Sequence, residues 1–110
     1  VFGRFDLSSL PIGGTCELIW DKMMMNSGNL ELPWGNAHEY ITFGVHVKSK
    51  ADRESGGGNL SARMRKGSVL HYPRPNGTAV TRHPTEKPIN LLRDLIESSS
   101  RSGQIVFDPI

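Results

Sequence analysis

The sequence predicts an α/β fold with an antiparallel sheet edge. Three features point there: two strand-like runs at residues 16–20 and 39–47, one amphipathic helical segment that follows Thr85, and an apolar run at residues 104–107 that stops at Asp108-Pro109. β-Branched and aromatic residues in alternation favour strands, whereas apolar residues three and four apart favour a helix.

Val1-Phe2 reads as a strand stub, and residues 7–14 form a turn-rich connection carrying Ser8, Ser9, Pro11, Gly13 and Gly14. The run Cys16-Glu17-Leu18-Ile19-Trp20 is the next strand, with Cys16 expected in the core because free cysteine is usually buried. Residues 23–36 are rich in Met, Asn, Ser and Gly and read as a long loop, a kind of segment that often carries function. Residues 39–47 are the strongest strand. Ile41, Phe43, Val45 and Val47 share one face and Tyr40, Thr42, Gly44 and His46 the other, the alternation of a half-buried antiparallel strand.

Residues 49–67 hold Gly56-Gly57-Gly58 and no periodicity, so a mobile surface loop is expected. A short strand follows at 68–72, then a turn cluster at 73–77. The helix is expected to begin near Thr85 as its N-cap, with Glu86 and Pro88 in the first turn. Ile89, Leu92, Leu95 and Ile96 recur at helical spacing, Arg93, Asp94 and Glu97 turn outward, and residues 98–103 end the helix. Residues 104–107 then read as a buried strand.

The chain has 110 residues, 36% of them hydrophobic, which suits one small domain or part of a larger one. Its formal charge of +2 is too small to indicate a nucleic-acid partner. The distribution says more: between Lys48 and Lys66 six basic residues stand against two acidic ones. One cysteine excludes an internal disulfide. No run approaches the roughly 18 consecutive apolar residues of a membrane span, and a soluble, cytoplasmic protein is expected. Neither end looks like a natural terminus, so the expectation is a segment internal to a longer chain.

A helix feeding a strand that stops at Asp108-Pro109 is a nucleotide-cofactor arrangement in open sheets, although Asp-Pro also begins ordinary turns. The more specific signal is the whole run His83-Pro84-Thr85-Glu86-Lys87-Pro88, then Leu91-Leu92 and Leu95-Ile96, then Gly103, then Val106-Phe107-Asp108-Pro109. It closely resembles the paired cofactor motifs of the amino-group DNA methyltransferases, which depend on S-adenosylmethionine (AdoMet). Trp20-Asp21-Lys22 and His38-Glu39-Tyr40-Ile41 are similar to that family's "W-x-K" and "hEyi" strands near the sheet edge. The motif order resembles the family's permuted subgroup.

The resemblance implies a partial Rossmann-like methyltransferase fold. Residues 1–47 would supply the sheet-edge strands, 48–82 a basic loop and target-recognition region, and 83–110 the cofactor-binding helix and strand. It implies methyl transfer from AdoMet to an exocyclic amino group of adenine or cytosine in double-stranded DNA. The sequence departs from the family pattern in the missing Asp/Asn-Pro-Pro-aromatic tetrapeptide and in the glycine-rich turn expected after Asp108-Pro109, which these 110 residues do not contain, and Ile110 stands where phenylalanine is usual. The 110 residues by themselves are therefore expected to be inactive. The rival readings are a non-catalytic DNA- or partner-binding remnant of the fold and an RNA methyltransferase.

The implied cofactor residues are His83, Thr85, Lys87, Asp108 and Pro109. Thr85 would cap a helix whose free N–H groups attract an anion, and Lys87 would add a cation beside it, so the methionyl carboxylate would dock there. Plain alternatives stay open: Thr85 as a cap only, Lys87 as a solvated lysine, His83 as a turn-closing residue. Asp108 would orient the cofactor or its turn. Arg63, Arg65 and Lys66 are candidates for DNA phosphates, against a solvated linker. Trp34 and Tyr40 are either base-stacking or core aromatics. His38, His46, His71 and His83 show no metal-ligand spacing, and no metal site is expected.

Overall fold

A computed structural model describes residues 1–25, 28, 30–47, 66–75 and 86–108. Among the described residues the regular structure is three strands and one helix: β1 (Ile12–Asp21), β2 (His38–His46), β3 (Val69–His71) and α1 (Ile89–Ser99). The sheet order is β2-β1-β3, with β1 antiparallel to β2 and parallel to β3. The expected antiparallel pair is present. It is longer than the apolar pattern indicated, because β1 starts at Ile12 within the glycine-bearing segment. Gly14 takes φ 57°, and the register shifts between Gly13 and Cys16. That bulge lets a strand begin in a sequence that reads as a turn. The Val1-Phe2 stub meets the free edge of β2, where Phe2 bridges Ile41 and the Thr42 N–H donates to the Val1 carbonyl at 2.8 Å.

The register sets the faces. Leu18 pairs with Ile41, and Trp20 with Leu70, so apolar residues of all three strands share one side of the sheet. Leu91 of α1 closes over it: Trp20, Ile41, Leu70 and Leu91 are all buried and in one cluster, with Phe2, Leu18, Tyr72 and Leu95 packed against them. Val47 is also buried, as its face predicts. The Trp20 indole N–H donates to the Tyr72 carbonyl at 2.7 Å, which satisfies the one polar atom of the largest core side chain.

Several expectations are corrected. The helix starts at Ile89 with Pro88 as its N-cap, and no side-chain oxygen caps it. Thr85 therefore does not hold that position, and Glu86 is not in the first turn. Proline bars the α region to the residue before it, and Pro88 itself is extended at ψ 135°, so the helix cannot begin upstream. Residues 104–107 form no strand, and Ile105 is 93% and Phe107 82% exposed. A strand needs a ladder partner and a cover, and no described strand lies beside this run. Among the described residues the architecture is a small mixed sheet and one helix, an arrangement compatible with an α/β fold.

Cys16 is exposed instead of buried, because α1 covers the Trp20 end of β1 and leaves a concavity of about 160 Å³ between Cys16, Leu18, Phe43, Leu70 and Leu95. Asp94 does not turn outward; its side chain is 15% exposed and engaged by Lys66 and Tyr72. Residues 48–65, most of the basic loop, lie outside the described residues. Among the described residues, no helix is long and apolar enough to cross a membrane.

Candidate functional site

Because β1 and β3 run parallel, their carboxyl ends, Asp21 and His71, stand side by side. Ligands of open α/β sheets gather beyond such ends. Hydrogen bonding continues past the strands: the Tyr72 N–H donates to the Asp21 carbonyl, the Lys22 N–H to the Ala37 carbonyl, and the Arg74 N–H to the Lys22 carbonyl. Lys22 is thus held from both sides by main chain. Asp21 Oδ1 accepts the Met23 N–H at 2.8 Å, and Met23 takes the left-handed φ of 61° that the chain needs to leave the sheet.

The main charged cluster sits at this end. Lys22 Nζ lies 2.8 Å from Glu39 Oε1, and Lys87 Nζ lies 2.8 Å from Glu39 Oε2. One carboxylate is shared by two ammonium groups. Both cations are also near the core aromatics: Lys22 Nζ is 5.4 Å from the Trp20 ring centre, and Lys87 Nζ is 4.7 Å from that of Phe2 and 5.3 Å from that of Trp20. Lys22 is buried, while Glu39 and Lys87 are about one-third and one-quarter exposed. Burial pushes the Glu39 carboxyl up, but hydrogen bonds from Lys22 and Lys87 together with their charges outweigh it and hold the carboxyl below its ordinary value.

Lys87 lines a concavity of about 250 Å³ with Tyr72, Pro73, Pro75, Pro88 and Asn90 at the amino end of α1. Cofactor pockets usually measure roughly 300–1,000 Å³, so these walls suit one end of a ligand. The first-turn N–H groups of α1 have no intrahelical acceptor and no side-chain cap. Lys87 immediately precedes this helix end, and its ammonium is held by Glu39 over the Phe2 and Trp20 rings, while Glu86 also lines the concavity; the free N–H donors suit an anion such as a carboxylate or phosphate.

Two further clusters flank this one. On the other face of the sheet, His71 Nδ1 and Asp21 Oδ2 are 2.8 Å apart, and the Asp21 carboxyl is lowered by its hydrogen bonds with the Met23 N–H and with His71. Against α1, Asp94 accepts hydrogen bonds from Lys66 and from the Tyr72 hydroxyl. These lower the Asp94 carboxyl and raise both Lys66 and Tyr72.

The structure therefore places Lys87 at the site. Lys66 lies against α1, paired with Asp94. Asp108 is exposed and does not line the Lys87 concavity. His83, Thr85, Pro109, Arg63 and Arg65 lie outside the described residues. Trp34 is 86% exposed, so it is not a core residue. The Tyr40 ring is covered by the Arg4 guanidinium at 4.4 Å and meets the His38 ring edge-on at 5.1 Å. Among the described residues, no group of three or more His, Cys, Asp or Glu could hold a metal ion.

Lys22 and Glu39 are the residues that sequence reasoning missed. Their signal was present: each belongs to a segment that the family resemblance singled out, and β1–β2 pairing sets Glu39 opposite Trp20. The register needed to join them to Lys87 is not in either segment alone.

No curated protein and no solved structure matches the chain. A family model described as DNA methylase, of the N6/N4 methyltransferase type, matches residues 13–109, which takes in β1 apart from Ile12, together with β2, β3 and α1. The chain belongs to the amino-group DNA methyltransferase family.

Proposed function

We propose that this chain serves a DNA methyltransferase that moves a methyl group from AdoMet to an exocyclic amino group of adenine or cytosine in double-stranded DNA, and that its part is to hold the amino-acid end of the cofactor. The observation that carries this reading is Lys87, which stands next to the uncapped amino end of α1 and lines the concavity there. Bound AdoMet supplies an electrophilic methyl group. Lys87 supplies a fixed cation for the methionyl carboxylate, and the first-turn N–H groups of α1 add donors aimed at the same anion. Trp20 and Phe2 keep water from the inner side of the ammonium, which strengthens its attraction for an anion. His83, Thr85, Asp108 and Pro109 complete the proposed cofactor set. Arg63, Arg65 and Lys66 are proposed to contact DNA phosphates; at Lys66 a phosphate takes the place of the Asp94 carboxylate.

The test is equilibrium binding of AdoMet to the intact protein. Lys87→Ala is expected to weaken binding about tenfold or more, the worth of one hydrogen bond to a charged group. Unchanged affinity removes the assignment. The acceptors for the amino protons of an extruded base belong, by the family pattern, to the tetrapeptide that this sequence lacks. The 110 residues alone are accordingly expected to give no methyl transfer to DNA in a labelled-methyl assay.

A further inference from the structure

Two lysines share one carboxylate at the carboxyl end of β1, and the cluster keeps one positive charge that nothing in it cancels. Glu86 lines the same concavity but pairs with neither lysine among the described residues. Asp21, next to Lys22, is committed to His71. A buried lysine is costly, and an apolar side chain at position 22 would pack beside Trp20 more cheaply. If only structure were at stake, Glu39 and Lys87 would already form a neutral pair. Adding Lys22 changes the balance.

We infer that Lys22 is a positioning residue that acts through Glu39: it neutralises that carboxylate, so that the charge of Lys87 stays available to an incoming carboxylate. The inference rests on the cofactor reading of Lys87 and adds two residues, Lys22 and Glu39, to it. Each ammonium has its own oxygen of Glu39, both at 2.8 Å, so the carboxylate fixes Lys87 in place while Lys22 satisfies its charge. The order of exposure agrees, with Lys22 innermost at 9% and Lys87, a lining residue of the concavity, at 26%. Without Lys22, Glu39 and Lys87 would saturate one another, and an arriving carboxylate would meet a neutral pair.

The probes are AdoMet and decarboxylated AdoMet, which differ by the carboxylate, bound to the intact protein at equilibrium, with thermal melting run alongside. Lys22→Met is expected to weaken AdoMet about tenfold and leave the decarboxylated probe within about twofold, the worth of one charge-assisted contact. Adding Glu39→Gln to Lys22→Met should restore AdoMet affinity, because the carboxylate that cancels the Lys87 charge is then gone. A merely structural lysine would give equal losses for both probes and no rescue, and that result overturns the inference. Should Lys22→Met fail to fold, Lys22→Gln takes its place: a loss for AdoMet and not for the decarboxylated probe supports the inference, whereas equal losses for both, or none, overturn it. If Lys87→Ala weakens AdoMet while Lys22→Met does not, the inference fails and the cofactor reading stands. If Lys87→Ala has no effect, the cofactor reading itself fails.

Discussion

Single residues set this structure where side chains meet closely. Gly44 is one: a Cβ there would run into the Ile12 side chain across the β1–β2 pair, with Leu7 and Thr15 close behind. Ile12 is β-branched and stiff, so it cannot swing away. Gly44→Ala is therefore expected to destabilise the chain by about 1–3 kcal/mol, the usual cost of overpacking, measurable by urea unfolding. Glu39 is another. With its carboxyl below the ordinary value of 4.5, it contributes stability in full above that pH, and the contribution is lost as pH falls through its folded-state value. Unfolding midpoints should drop below about pH 4.5, and Glu39→Gln should flatten this part of the profile. Glu39→Ala should cost about 3 kcal/mol at neutral pH, since it strands the buried Lys22. None of these roles is visible in the residues taken singly; Gly44 in the sequence is only a small residue within a strand.

At the scale of elements, the strands were legible and the helix was legible in part. β1 and β2 announce themselves through alternation, which depends only on local sequence. α1 was placed correctly at its end but not at its start, because Thr85 is a good cap and Glu86 a good first-turn acid, and both cues were overruled by the backbone limits of Pro88. Its packing face was also misread. The apolar spacing includes Ile89, Leu92 and Ile96, which are 71%, 38% and 42% exposed, whereas Leu91 is fully buried. The sheet chose the face by offering Tyr72 to Asp94 on the adjoining turn. Tyr72→Phe removes that hydroxyl and keeps the ring. It is expected to speed amide hydrogen exchange in α1 while leaving β1–β2 protection unchanged. The tether also has a pH signature. Tyr72 is raised above 10.0, so its contribution is complete below that pH and is lost as pH rises through the folded value. Asp94 is lowered, so its share fades as pH falls through its own folded value.

For the whole molecule, one side of a three-stranded sheet is closed by one helix, and the charged site stands where the parallel strands end. The apolar residues at 105–107 remain exposed, as do Ile89 and Trp34. Amino acid order alone determined the family, the antiparallel strand pair, and the existence and carboxyl end of the helix, because each is written in contiguous motifs or short-period patterns. Tertiary structure alone decided that Lys22, Glu39 and Lys87 form one cluster, that Lys66 and Tyr72 close on Asp94, that Cys16 faces solvent, and that residues 104–107 have no ladder. Glu39 and Lys87 lie 48 positions apart, and Trp20 and Tyr72 52 apart. Local periodicity carries no information across such separations. Only strand register and the packing of Leu91 onto the sheet bring those groups within a hydrogen bond of one another.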